Sequence, residues 1–212
     1  VTSEQKPGTA PEVERLAVSL TRLAENMKAI YRQQCQSERV VVFMDNSNFF
    51  GSVARIGKDR GYKFRVDYHK LFGLLLRDRF CIDARCYYND WESDPETRQR
   101  RENYRSLMTK AGFTLVCSSQ CGETRPQGLD QAIIPDMLAM AKDCPRCDTF
   151  ILVAGDGDYA DTVREVRRRF GVKVEVAFFA ADTAAMLRDA SGIFIDLEVH
   201  SDDIQFDRHF SD

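Results

Sequence analysis

Apolar residues near the start of the chain fall at Val13, Leu16, Leu20, Leu23, Met27 and Ile30, at intervals of 3, 4, 3, 4 and 3. That spacing puts one hydrophobic row on one face of a helix, the pattern of a heptad seam. Pro7-Gly8 and Pro11 precede the row and Ser37-Glu38 follows it, which predicts a flexible tail over 1–10 and a helix over 11–37. Helices in proteins draw most of their stability from packing an apolar face, so this seam needs an apolar partner. The partner is either a second copy, giving a weak homodimer, or a groove of the chain's own domain.

After residue 38 the period changes. Runs rich in Val, Ile and Phe at 40–44, 82–88, 113–117, 149–154, 172–179 and 193–197 alternate with helical patterns near 66–79, 95–111, 128–142, 158–170 and 183–190. Alternating strands and helices predict an α/β fold, a doubly wound, mainly parallel sheet with helices on both faces. The near-continuous apolar strands fit burial on both sides. This body occupies 38–197, and the polar, aperiodic stretch 198–212 reads as a peripheral tail.

Composition narrows the class. The chain has 212 residues, 43% of them hydrophobic, with 12 Gly and 6 Pro, which excludes collagen-like and disordered chains. No apolar run approaches the roughly 20 residues that cross a bilayer, so a soluble protein is expected, without a membrane partner. Seven cysteines form an odd set in a chain long enough to build a core unaided, which points to reduced thiols and an intracellular, cytoplasmic compartment. Cys117, Cys121, Cys144 and Cys147 have spacing that zinc could accept. The predicted topology opposes it, because the first pair follows a strand and the second precedes one, at opposite sheet edges. The net charge of −3 gives no overall attraction to nucleic acid, but the placement of basic side chains decides that question.

Ligands of such sheets sit beyond the carboxyl ends of the strands. Asp45 ends the first strand, Asp156 and Asp158 follow a later one, and Asp130 opens the helix after Gly128. One such Asp reads as a helix cap. Four acids from three segments on one edge would repel one another unless a cation lies among them. Oxygen-only ligands select Mg²⁺ or Mn²⁺, and such a site suits phosphodiester hydrolysis.

Other sites fail against the letters. Phosphate-cradling Gly-rich motifs for nucleoside triphosphates or dinucleotides are absent. Position 47 is Ser, where a haloacid-dehalogenase phosphatase needs a second Asp, and the fifth strand lacks the Lys that ends it in a response regulator. The Asp-x-Ser-x-Ser metal motif of von Willebrand A adhesion domains is met by Asp45-Asn46-Ser47-Asn48 up to Phe49. A metal-dependent protein-binding module is thus one alternative.

Asp45 with Asn48, then Gly128, Asp130 and Asp136, then Gly155, Asp156 and Asp158, and finally Asp196-Leu197 resemble, in order and spacing, the NYN (LabA-like) branch of the PIN nuclease superfamily over about 40–197. The resemblance implies a PIN-like sheet of order 3-2-1-4-5 with an extra edge strand, and divalent-metal ribonuclease activity, most simply endoribonuclease activity. Asp45, Asp130, Asp156 and Asp158 would hold the metal and form the catalytic set. Asn48 would orient a water or ligand, and Asp136 would stand behind the ligands. Ala154 and Tyr159 stand where the family pattern has Ser and Phe, and two further departures matter: Gln127 replaces a Lys, and Pro135 interrupts the motif helix. On an unbroken helix Asp136 would sit about 9 Å along and about 240° round from Asp130. These departures keep a non-catalytic module binding RNA or protein as a second alternative.

Single-stranded or structured RNA is the expected partner. Arg98, Arg100 and Arg101 fall in the first turns of the helix after strand two, near Tyr88 and Trp91, which could stack on bases, and Arg125 precedes Asp130. Arg167, Arg168 and Arg169 lie at the far end of the helix that starts at the acids, where they complement a helix C-terminus.

Overall fold

A computed structural model describes residues 10–89, 95–118, 128–144 and 146–206. It divides into two units, 1–37 and 38–212. The first contains the helix α1 (Ala10–Gln36). Leu16, Leu20, Leu23 and Met27 of the seam read from sequence are each more than half exposed.

In the second unit the strands β1 (Arg39–Asp45), β2 (Phe80–Tyr88), β3 (Thr114–Cys117), β4 (Thr149–Val153), β5 (Lys173–Phe178) and β6 (Ile193–Asp196) form one sheet of order β3-β2-β1-β4-β5-β6. Each pairing is parallel. The expected order therefore holds, with β6 as the extra edge strand.

Alternation along β1 shows why the sheet is central. Val40, Val42 and Met44 enter a core with the helices α2 (Asn46–Asp59), α3 (Tyr68–Leu76) and α4 (Pro95–Ala111). Val41 and Phe43 enter a second core with α5 (Asp130–Asp143), α6 (Ala160–Glu165) and α7 (Ala185–Ala190). A strand whose successive side chains feed opposite cores must be apolar throughout, and β1 is buried from Val40 to Asp45.

Three differences from the sequence reading have physical causes. Helix α2 was not anticipated, because its buried face is only Phe49, Ser52 and Ile56 and it carries turn-forming Asn46, Ser47, Asn48 and Gly57. The helix predicted over 158–170 is composite: a 3₁₀ turn (Gly157–Tyr159), α6, and a π turn (Val166–Phe170) ended by Gly171 at φ 70°. The segment after β6 is no peripheral tail as far as Phe206. Ile204 is fully buried, Gln205 bridges Val66, and the Phe206 N–H donates to the Arg65 carbonyl.

The two sheet edges differ in charge. At the amino edge, Arg79 grips Glu175 with two hydrogen bonds of 2.6 and 2.9 Å, Arg39 pairs with Asp148, and Glu38 meets Thr149 and Lys173. Acids there have cations. Strand order reverses between β1 and β4, so the crevice for ligands opens at their carboxyl ends.

Candidate active site at the carboxyl edge

Asp45 is the last residue of β1 and the N-cap of α2, and only 4% of it is exposed. Its Oδ1 accepts from Ser47 Oγ at 2.7 Å and from the Asn48 N–H at 3.0 Å, while Oδ2 accepts from the Tyr159 hydroxyl at 2.8 Å. All three donors are neutral. Among the described residues no cation pairs with Asp45, Asp130, Asp156 or Asp158, whereas a buried carboxylate is costly without a counter-charge.

Tyr159 lies within the charge of the other acids. Its hydroxyl is held protonated far above the ordinary phenol range, first by burial and then by the negative charges of Asp45, Asp130 and Asp156. Three of the four predicted acids thus act by charge on one buried hydroxyl, which only Asp45 contacts by a hydrogen bond. Asp158 is exposed; its N–H donates to Asp156 Oδ1 at 3.2 Å. Asp45 and Asp156 therefore do act as caps, as the simpler reading held, but Asp45 has a second oxygen turned to Tyr159. Asp130 is not a cap, since Leu129 holds that position.

Glycines shape the same edge. A Cβ on Gly128 would overlap Oδ1 of Asp130, so this carboxylate occupies the space a side chain would fill. A Cβ on Gly155 would strike the Asp182 carbonyl and the Phe178 ring. The Gly155 N–H donates to Asn48 Oδ1 at 2.9 Å. Asn48 therefore ties the loop after β4 to α2, and its carboxamide oxygen is committed to that bond.

Asp136 lies elsewhere. Helix α5 continues through Pro135, and Asp136 is turned to β2, where it meets Arg85 Nη1 at 2.5 Å and the Tyr87 hydroxyl. It fastens α5 to the sheet. Asp196 is likewise structural, its Oδ1 accepting from the N–H groups of Ala180 and Glu198.

A cavity of about 390 Å³ is lined by Ser47, which hydrogen-bonds Asp45, with Asn46 and Phe50 of α2, Tyr88 of β2, and Arg100, Arg101 and Tyr104 of α4. It unites Tyr88, Arg100 and Arg101, read from sequence as nucleic-acid contacts, with Asn46, Ser47, Phe50 and Tyr104, which were missed. Arg98 belongs to α4, and Trp91, Arg125, Gln127 and Cys121 lie outside the described residues. At the opposite edge Arg167 donates to the carbonyl of Ala190, the last residue of α7, and Arg169 to Glu165. Cys117 ends β3, while Cys147 precedes β4 with its thiol raised to about 12, chiefly by burial.

Tyr159, Ser47, Asn46, Phe50 and Tyr104 escaped the sequence reading. The signal for Tyr159 was present, because the family pattern puts Phe there and the extra hydroxyl needs a partner once buried.

No curated protein sequence matches the chain. The solved structure of a protein of unknown function from Vibrio parahaemolyticus is similar in fold, with a TM-score of 0.62 at 23% identity, covering 80% of this chain and 97% of that one. A de novo designed protein with a P-loop NTPase fold aligns at a TM-score of only 0.33 and 15% identity, over 76% of this chain and 82% of that one, too weak a likeness to argue from. The profile of the NYN domain matches residues 39–198, which spans the whole sheet and all four acids, and the chain therefore belongs to the NYN family of PIN-like, nuclease-type domains.

Proposed function

We propose that this NYN domain is a divalent-metal-dependent ribonuclease that hydrolyses phosphodiester bonds of single-stranded or structured RNA at Asp45, Asp130, Asp156 and Asp158. The observation that carries the reading is Asp45: a buried carboxylate with three neutral donors and no cation among the described residues, bonded to a Tyr159 hydroxyl on which the charges of Asp130 and Asp156 also act. Oxygen donors alone suit Mg²⁺ or Mn²⁺. When bound, such an ion would supply charge neutralisation for the phosphate and a lowered pKa for its water.

The chain's own residues prepare that chemistry. Ser47 and the Asn48 N–H fix one oxygen of Asp45, Tyr159 fixes the other, and Gly128 leaves room for the Asp130 carboxylate. Asp156 and Asp158 stay exposed on the short turn after β4, where the substrate backbone can reach them. Arg100 and Arg101 line the adjoining cavity and bring positive charge to a polyanion.

Two further readings were open from sequence. The adhesion-module reading gives way to the family, and Phe49, which occupies the position of the motif's last hydroxyl, is fully buried in the core. A non-catalytic RNA- or protein-binding module draws support from one observation: among the described residues no three His, Cys, Asp or Glu side chains are grouped closely enough to hold an ion. Incubating labelled RNA with the protein separates the two. Cleavage in Mn²⁺ or Mg²⁺ that stops with EDTA supports the nuclease; absence of turnover in both metals, with saturable binding that weakens in salt, supports the module.

A further inference from the structure

The cavity beside Asp45 has the walls of a nucleotide subsite. Phe50 is 44% exposed although it lies only five residues beyond Asp45. Its ring stands 5.1 Å from that of Tyr104, tilted by 59°. The Tyr104 hydroxyl donates to Asn46 Oδ1 at 2.5 Å, which fixes the carboxamide and leaves its NH₂ as a donor with no partner among the described residues. Ser47, in the same wall, hydrogen-bonds Asp45. Arg100 and Arg101 stand on the α4 side, and the Arg105 guanidinium lies 5.0 Å over the Tyr88 ring.

A flat apolar face, an oriented amide donor and guanidinium groups in one cavity match the three parts of a nucleotide: a base to stack, a carbonyl to accept, and a phosphate to neutralise. Contact with Ser47 puts that nucleotide next to the acids. We propose that the cavity seats the base adjoining the scissile phosphate, stacked on Phe50, with Asn46 donating to a base carbonyl oxygen. Uracil, guanine and cytosine present such an oxygen and adenine does not, so the seat prefers carbonyl-bearing bases. This inference rests on the ribonuclease reading for its substrate, yet it can be tested without turnover.

The test is fluorescence anisotropy in EDTA, with labelled oligouridylate, oligoadenylate and an abasic ribose-phosphate chain of equal length. The parent protein should bind oligouridylate about tenfold more tightly than the abasic chain and more tightly than oligoadenylate. Phe50→Ala should lose that tenfold while binding the abasic chain as before, and Asn46→Ala should narrow the uridylate-to-adenylate ratio. Phe50→Leu, which keeps apolar volume without a ring face, should lose affinity as well, and serves if the alanine variant unfolds. Equal binding of base-bearing and abasic chains, or a Phe50→Leu protein that binds like the parent, overturns the seat. Base preference without cleavage in Mn²⁺ would keep the seat and remove the nuclease; cleavage without base preference would do the reverse.

Discussion

The hydroxyl of Tyr159 donates to Oδ2 of Asp45 across 2.8 Å, joining the buried end of β1 to the turn that follows β4. A hydrogen bond to a buried charge stabilises by about 1.5–3 kcal/mol, and its loss leaves an unsatisfied oxygen. Tyr159→Phe should therefore unfold about 2 kcal/mol more easily in urea without metal. The freed oxygen then becomes available to a cation, so Mn²⁺ should raise the melting temperature of the variant more than that of the parent. An unchanged urea midpoint would show that the bond is not formed.

Two glycines of the same edge separate structure from chemistry. Gly155→Ala pushes a methyl into the Asp182 carbonyl and the Phe178 ring, neither of which can retreat, and should destabilise by about 1–3 kcal/mol. Gly128→Ala meets only the movable carboxylate of Asp130. It should melt within a degree or two of the parent while its Mn²⁺ affinity, measured by calorimetry, falls. A destabilised Gly128→Ala protein with unaltered metal affinity would contradict this assignment.

Much of this was legible in the letters. Asp45 could be placed because β1 is apolar until it stops, and Gly155-Asp156-Gly157-Asp158 because a glycine-rich break must follow a buried strand. What escaped was decided by tertiary contact. Helix α2 hides behind turn-forming residues, and its N-cap bond comes from the very Asp45 that ends β1. Asp136 could be set about 9 Å from Asp130, but only the position of β2 supplies Arg85 and Tyr87 to capture it. The seat of Asn46, Phe50 and Tyr104 joins α2 to α4 across more than fifty residues of chain, a distance no local pattern bridges.

Acid should weaken the amino edge. Hydrogen bonding from Thr149, and then from Lys173, holds Glu38 below its ordinary value of 4.5, and Arg39 holds Asp148 below 3.8. A carboxyl with a lower pKa when folded binds fewer protons folded, so its contribution is complete above the unfolded value and disappears as pH falls through the folded one. Melting temperatures should hold between about pH 7 and 5 and drop below about 4.5. Asp148→Asn should flatten the part of that drop below pH 3.8; a profile as steep as the parent's would show that the Arg39 pair contributes nothing.

The heptad spacing of α1 predicts assembly. Leu16, Leu20, Leu23 and Met27 at heptad spacing should zip with a second copy into a weak homodimer. Sedimentation equilibrium of the full chain should show a concentration-dependent dimer, and a chain starting at Gln36 should be a monomer. A truncated protein of unchanged assembly state rules out a dimer built by this helix.

The ribonuclease reading is tested most directly at Asp156. Asn caps a helix nearly as well as Asp, so Asp156→Asn keeps the bond to the Asp158 N–H and removes only charge. The measurement is the rate of cleavage of a labelled RNA in Mn²⁺ by parent and variant, each with its fold verified by circular dichroism. The account predicts cleavage by the parent and a loss of at least about hundredfold in the variant; an Asp156→Asn protein as active as the parent would contradict it.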